Sequence, residues 1–478
     1  MTLLRPTIKL LAAGFTLLSG CSLAPKYQRP AAPVAATYPL DASTASTPAA
    51  VPAADLAWQQ FFGDARLRGI IQLALENNRD LRVAALNVER VRAIYGIQRS
   101  VLIPSLDATG DAVRQRTPAT LSPTGQPVTG SVYEVGLQIP SYEIDFFGRV
   151  MSLRNQVLHQ YLATEEARRS AQIALISAVA RQYLAALAAD EQLAVARQTL
   201  RAAEQSYDLN QQSFEGGVTS ELDLRTAEGQ REAVRASVAA LEQRAAQLAN
   251  GLVLLVGSPL PTDLPAAGSL ATQAIVEDLP PGLPADLLAR RPDVRAAEEV
   301  LQAANANIGV ARAAFFPSIK LTAFGGSAST ELSGLFESGS GRWSFAPSIT
   351  LPIFAGGRNK AQLDVAWIEQ RIEIAQYEQA IQNAFREVAD ALAVRSIIGR
   401  TIAAQQARVN AARRRYELTQ QRFDAGVDPY LTVLLAQQEQ FAAEQSLIDA
   451  RLARLANLTA LYSALGGGWQ NDTPTAQP

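Results

Sequence analysis

Polar and apolar positions follow two periods in this chain, and the segments that carry them take turns. Four short stretches alternate at period two. In the first, Leu106, Ala108 and Ala112 interleave with Ser105, Asp107, Thr109 and Asp111. In the second, Tyr133, Val135, Leu137 and Ile139 interleave with Glu134, Gly136 and Gln138. In the third, Ile319, Leu321 and Ala323 interleave with Ser318, Lys320 and Thr322. In the fourth, Trp343, Phe345, Ile349, Leu351 and Ile353 interleave with Ser344, Ala346, Ser348 and Thr350. These patterns predict strands at about 103–113, 131–141, 317–327 and 342–354. Helical patterning covers 64–101 and 284–314, and long helices are expected within 150–256 and 359–466. The first long region holds no proline and the second only Pro429. Heptads run through both: Leu193, Leu200, Tyr207, Phe214, and again Ile402, Val409, Tyr416, Phe423. The returning segments carry Val234, Leu241, Leu248, Leu255 and Leu434, Phe441, Ile448, Leu455, Tyr462. With alanine between them, this is coiled-coil patterning. A helix from Val150 to Glu215 would be ~100 Å long at 1.5 Å per residue.

The pattern occurs twice. At an offset of 213, Asp80, Arg82, Ala84, Ala93, Gly96, Arg99, Pro104 and Ser105 recur as Asp293, Arg295, Ala297, Ala306, Gly309, Arg312, Pro317 and Ser318. At an offset of 209, Tyr207, Leu209, Gln211, Phe214, Gly217, Val218 and Leu222 recur as Tyr416, Leu418, Gln420, Phe423, Gly426, Val427 and Leu431. The chain therefore reads as one large unit used twice, residues 56–262 and 263–478. Each unit reads helix, strand, strand, long helices. Gly216-Gly217-Val218 and Ala425-Gly426-Val427 interrupt the long helices at equivalent points, as a glycine does where a helix ends and the chain reverses.

Strands of about ten residues have the length a tilted strand needs to cross a bilayer. Phe315-Phe316, Phe146-Phe147 and Phe354 cluster at one set of strand ends, with Tyr133 and Trp343 near the other. Such girdles mark the two membrane interfaces. Four strands cannot close a barrel in lipid, because open edges leave backbone groups unpaired. The chain must pool strands with copies of itself: two copies give eight, three give twelve. The small and polar inward set fits the wider, open version.

Composition narrows the chemistry. The 478 residues include one cysteine and one histidine, too few ligands for a His/Cys metal centre. Lys+Arg of 43 against Asp+Glu of 45 gives no basic excess to attract nucleic acid. No GxSxG, HExxH or P-loop is present, so no catalytic, cofactor or metal residues are assigned. The single His159 falls in a long helix with no second histidine or cysteine to complete a site. The cysteine has another use. Arg5 and Lys9 precede an apolar stretch at 10–18, and Leu18-Ser19-Gly20-Cys21 resembles the lipobox of bacterial lipoproteins. Residues 1–20 then form a signal peptide and Cys21 carries the lipid. Ser22 in place of aspartate favours the outer membrane. The Pro- and Ala-rich segment 21–55 reads as an extended tether. The most apolar later stretch, 174–189, is interrupted by Arg181 and Gln182, so no spanning helix is expected.

Arg291-Pro292-Asp293-Val294-Arg295-Ala296-Ala297-Glu298, then Ala303 to Ala313, then Phe315-Phe316-Pro317, resembles the outer-membrane efflux lipoproteins of the TolC, OprM and NodT type. The closing run Leu461-Tyr462-Ser463-Ala464-Leu465-Gly466-Gly467-Gly468-Trp469 and the opening Cys21-Ser22-Leu23-Ala24-Pro25 are similar to theirs. The resemblance covers nearly the whole chain. It implies a homotrimer whose twelve-stranded outer-membrane barrel is continued by a helical barrel through the periplasm. It implies N-palmitoyl and S-diacylglycerol groups on Cys21, and partners in a periplasmic membrane-fusion adaptor and an inner-membrane transporter of the resistance-nodulation-division type. The expected function is a passive, gated exit duct for drugs or other small molecules. A non-conducting periplasm-spanning lipoprotein, or the duct of a metal-efflux or secretion system, are the alternatives. By resemblance Gly217, Val218, Thr219, Gly426, Val427 and Asp428 form tips that meet the adaptor, and Leu431 matches an apolar gate ring. The family's acidic gate residue is expected four positions on, where this chain has Leu435. A double hydrophobic layer that gates by dewetting is the resulting expectation, with Asp428, Glu221 or Asp223 left to favour cations.

Overall fold

A computed structural model describes residues 22–39, 52–280 and 282–469. The chain divides into two compact units. The first comprises Met1–Ala31, Asn87–Thr164 and Ala296–Tyr377; the second comprises Ala32–Leu86, Glu165–Arg295 and Glu378–Pro478. Cys21 and the signal segment lie outside the described residues.

The first unit contains a four-stranded antiparallel sheet in the order β1 (Asp107–Thr117), β2 (Val128–Ile144), β3 (Ser318–Ser329), β4 (Gly341–Thr350). Residues directly opposite one another share a face. Ala108 faces Leu137, Leu137 faces Gly325, and Gly325 faces Trp343. The register therefore gathers Ala108, Ala112, Tyr133, Val135, Leu137, Leu321, Ala323, Trp343, Phe345 and Ile349 on one face. It gathers Asp107, Asp111, Glu134, Gln138, Lys320, Thr322, Arg342 and Ser348 on the other. On the polar face the Arg342 guanidinium donates to Glu134 at 2.7 Å. Ile139 pairs with Ala323, and the next pair is Tyr142 with Leu321, so one extra residue bulges from β2 beside Pro140. The bulge shifts the phase and keeps Tyr142 and Ile144 on the apolar face.

Strand limits differ from the spacing in the sequence. The first strand, expected over 103–113, starts at Asp107, because the Leu102 and Ile103 amides are still bonded to the carbonyls of Arg99 and Ser100 in a turn. The second continues past 141 to Ile144 by means of the bulge. The fourth stops at Thr350, shortly before Pro352, which has no N–H for a ladder.

Seven helices carry most of the rest: α1 (Ala65–Asn77), α2 (Arg79–Ser100), α3 (Arg149–Glu215), α4 (Glu221–Val256), α5 (Pro292–Ala313), α6 (Arg358–Asp424) and α7 (Tyr430–Ala464). The helical stretch expected over 64–101 breaks at Asn78, whose side chain accepts from the Leu81 amide and donates to the Leu255 carbonyl at 2.8 Å. The stretch expected over 284–314 breaks at Arg291, held out of helical geometry by Pro292. Arg291 Nη1 donates to the Ala464 carbonyl at 2.9 Å. Asn78 and Arg291 are equivalent at the offset of 213, and Leu255 and Ala464 at 209. The duplication thus survives as one contact made twice.

Along α5 runs an extended strap of residues 22–29. Arg312 donates to the Leu23 carbonyl at 3.0 Å and Asn305 to the Pro25 carbonyl at 2.8 Å. Glu298 receives the Tyr27 hydroxyl at 3.0 Å and a bidentate pair from Arg29 at 2.7 and 2.8 Å. The tether expected over 21–55 is therefore pinned in its first part. His159 of α3 reaches Glu299 of α5 at 2.7 Å, a carboxylate partner rather than a metal set. The repeat counterpart of α5, α2, buries none of its residues.

The second unit packs Trp58, Phe61, Phe62, Ile70, Ile71, Leu184 and Tyr462 into its core. Phe61 stacks on Tyr462 with centroids 3.9 Å apart, and the Tyr462 hydroxyl donates to the Leu56 carbonyl at 2.6 Å. α3 includes a window apolar enough to cross a membrane by composition, beyond what the interrupted stretch 174–189 suggested. Of that window 56% is buried within the fold, with Val179, Ala180 and Leu184 fully enclosed, so its apolar face serves the core.

Candidate functional site

The two helix reversals of the second unit carry most of the candidate residues. α3 ends at Glu215, and the chain turns through Gly217 at φ +74°. There the Gly217 amide donates to the Phe214 carbonyl at 2.9 Å and the Val218 amide to Ser213 at 2.8 Å. α6 ends at Asp424 and turns through Gly426 at φ +71°. Its Gly426 amide donates to Phe423 at 2.8 Å and the Val427 amide to Arg422 at 2.9 Å. The same left-handed closure satisfies the last carbonyls of each helix. In both positions the following valine is left outside: Val218 is 81% exposed and Val427 61%.

The exits differ. After the first turn Thr219 donates to the Asn210 carbonyl at 3.4 Å, and Ser220 caps α4 in a capping box with Asp223. After the second, Asp428 accepts two hydrogen bonds from Arg422, at 2.6 and 2.9 Å. That hydrogen-bonded pair holds the Asp428 carboxyl below the usual aspartate range and pushes the Arg422 guanidinium up. Pro429 then occupies the N-cap of α7.

Behind the turns the two hairpins share an apolar cluster of Ala227, Tyr430, Val433 and Leu434, with Tyr207, Tyr416 and Phe423 packed on it. Phe423 meets Tyr430 edge-on at 5.7 Å, and the Arg231 guanidinium lies 3.9 Å over the Tyr207 ring. Burial raises the Tyr430 hydroxyl above the usual tyrosine range. Leu431 and Leu435 stay out of this cluster. They sit one helical turn apart on one face of α7 and are 53% and 49% exposed. Among the described residues the structure thus brings Gly217, Val218 and Thr219 into one turn and Gly426, Val427 and Asp428 into the other. It leaves two adjacent leucines uncovered just inside the second.

Sequence reasoning missed the partner of Asp428. Arg422 lies six residues before it, a spacing that pairs side chains only where a helix reverses between them. It also missed Glu298 as the strap's receiver. A signal was present: the equivalent position in the first repeat is Ala85, and among the described residues the strap lies on the second repeat's helix.

The sequence profile described as outer membrane efflux protein matches residues 70–258 and 283–467. The solvent efflux pump outer membrane protein SrpC of Pseudomonas putida is 48% identical over 459 residues, 95% of this chain and 96% of that protein. The outer membrane protein OprJ of Pseudomonas aeruginosa is 44% identical over 452 residues, 95% of this chain and 94% of that protein. Among solved structures, the open state of the Neisseria gonorrhoeae MtrE outer membrane channel is similar with a TM-score of 0.86 and 41% identity, covering 95% of this chain and all of that one.

Proposed function

For a chain that belongs to the outer membrane efflux protein family, we propose one third of a trimeric, gated exit duct, anchored by acyl groups on Cys21. It is a channel of the outer membrane with no catalytic task. The observation that carries this reading is the sheet. One of its faces is apolar and the other polar, and its outer strands β1 and β4 each pair on one side only. In lipid those edges must be paired, and no strand among the described residues of a single copy pairs them. Three copies supply twelve strands, with the apolar face toward lipid and Asp107, Glu134, Lys320 and Arg342 toward a wet lumen.

Transport of amphiphilic small molecules by an assembled pump follows from the kinship with the solvent pump protein SrpC. A periplasmic adaptor would dock on the exposed Val218 and Val427 turns, and an inner-membrane transporter would supply the energy. Leu431 and Leu435 form the closure. Two stacked rings of half-exposed leucine keep a narrow passage dry, and a dry passage blocks ions. Opening is a population shift, driven by an adaptor that binds the dilated tips better than the closed ones.

Single-channel recording of the purified protein tests this. Leu431→Ser with Leu435→Ser should give large, long-lived conductance where the parent is mostly silent. Silence in the double variant, together with a wild-type trimer on gels, would refute the gate.

A further inference from the structure

The two repeats treat the sheet-proximal ends of their equivalent helices differently. In α5, Arg312 binds the Leu23 carbonyl at 3.0 Å. A Cβ added at Gly309 would come within 2.9 Å of the Ala24 amide nitrogen and 2.6 Å of Ser152 Oγ. Arg312 and Gly309 thus receive the residues directly after Cys21. The strap runs antiparallel to the helix. From Glu298 to Arg312 the helix advances ~21 Å at 1.5 Å per residue, and from Arg29 to Leu23 an extended chain advances ~20 Å at 3.3 Å per residue. Its Cys21 end therefore points to the end of α5 that leads into β3.

The counterparts in α2 are Gly96 and Arg99, with Arg92 in place of Asn305. Among the described residues no strap reaches them. Arg92 and Arg99 are exposed, and neither has a hydrogen-bond or ion-pair partner among the described residues. Directly after them come the exposed apolar side chains of Val101, Ile103 and Leu106, and Leu106 continues the apolar face of β1.

From these observations we infer that the α2–β1 junction binds an anionic phospholipid. Arg92 and Arg99 hold its phosphate, and an acyl chain lies along Val101, Ile103 and Leu106. Guanidinium groups suit phosphate oxygens in a bidentate geometry, and basic pockets beside membrane segments take anionic headgroups. The occupant is a lipid rather than free phosphate, because the arginines adjoin uncovered apolar side chains at the start of a membrane strand. Each protomer would then carry lipid at both equivalent positions, covalent beside α5 and non-covalent beside α2. The inference rests on the membrane placement and the acylated Cys21 proposed above.

Native mass spectrometry of the full-length protein in detergent tests it, titrated with phosphatidylglycerol, phosphatidylcholine or inorganic phosphate. One phosphatidylglycerol per protomer should persist at concentrations where phosphatidylcholine is lost. Arg92→Glu with Arg99→Glu should weaken that binding tenfold or more. Arg400→Glu with Arg408→Glu, a charge-matched change elsewhere, should not. Ile103→Ser should weaken phosphatidylglycerol while leaving the fold intact, which covers the case of a poorly folding double variant. Equal retention by the Arg92/Arg99 variant would overturn the site. So would full displacement by inorganic phosphate, which would reduce it to an anion contact. The same spectra give the oligomer and the covalent acyl mass, so failure of the trimer or the anchor is read separately from loss of the bound lipid.

Discussion

Asp428 illustrates how far a single residue can be read. Its place in the second reversal was legible from the duplication, since Gly217-Val218 and Gly426-Val427 recur at a fixed offset. Its electrostatic state was not, because Arg422 becomes a neighbour only once Gly426 turns the chain. The pair lowers the Asp428 pKa, so its contribution is complete above the ordinary aspartate value of ~3.9 and is lost as pH falls through the lowered one. The turn should therefore keep its closure throughout neutral and mildly acidic conditions. Hydrogen exchange at the Gly426 and Val427 amides should be flat from neutral pH down to about pH 4 once corrected for intrinsic rates. Asp428→Asn should raise it throughout that range. The matching first turn, which has Ser213 and Thr219 at these positions, should not respond to acid in this way. Leu431 and Leu435 read differently. The family resemblance singled them out as gate positions, but only the packed cluster of Tyr430, Val433 and Leu434 shows which leucines are left over.

At the scale of elements, the alternation in the strands was legible because a sheet in lipid needs a clean apolar face. The pattern faded after Ile139 because the bulge beside Pro140 changes the phase there, and no period-two count follows a phase change. The strap was harder still. Proline and alanine predict extension but not a docking partner, and the receiver, Glu298, is 271 and 269 residues away in sequence from the Tyr27 and Arg29 it holds. The asymmetry of that clamp makes a sharp expectation. Glu298 is buried, whereas the Arg29 side chain is about half exposed. Removing the glutamate frees an arginine that rehydrates easily. Removing the arginine leaves a buried carboxylate short of a partner, which costs ~1–3 kcal/mol. Arg29→Ala should thus lower resistance to denaturant more than Glu298→Ala. Both should speed tryptic cleavage at Lys26, read on the folded protein by mass spectrometry. Equal, small effects on stability would show that the Arg312 and Asn305 contacts to the Leu23 and Pro25 carbonyls hold the strap without the clamp.

The whole molecule is where a single chain's sequence runs out, since in the proposed trimer the missing contacts belong to other copies. The duplication nevertheless says what they are. Inside one chain, α3 of the first repeat packs on α5 of the second: Ser152 fills the space at Gly309, and His159 meets Glu299. If the ring continues in the same sense, α6 of one copy must pack on α2 of the next. Adding 209 to the α3 residues and subtracting 213 from the α5 residues converts the two contacts to Ala361 with Gly96 and Ile368 with Leu86. The polar pair becomes an apolar pair, and both of its members are exposed in the single chain. The helix α2, which buries nothing of its own, would then be covered as α5 is. Leu86→Cys with Ile368→Cys, treated with a short bismaleimide that bridges two thiols across packed helices, should give a ladder ending at three linked chains on denaturing gels. Either cysteine alone, or Leu86→Cys paired with Ile397→Cys, should stay monomeric, given the acylated Cys21 proposed above. Cross-linking that stops at two chains would mean that the contact does not propagate around a ring, and the exit duct would need a different closure.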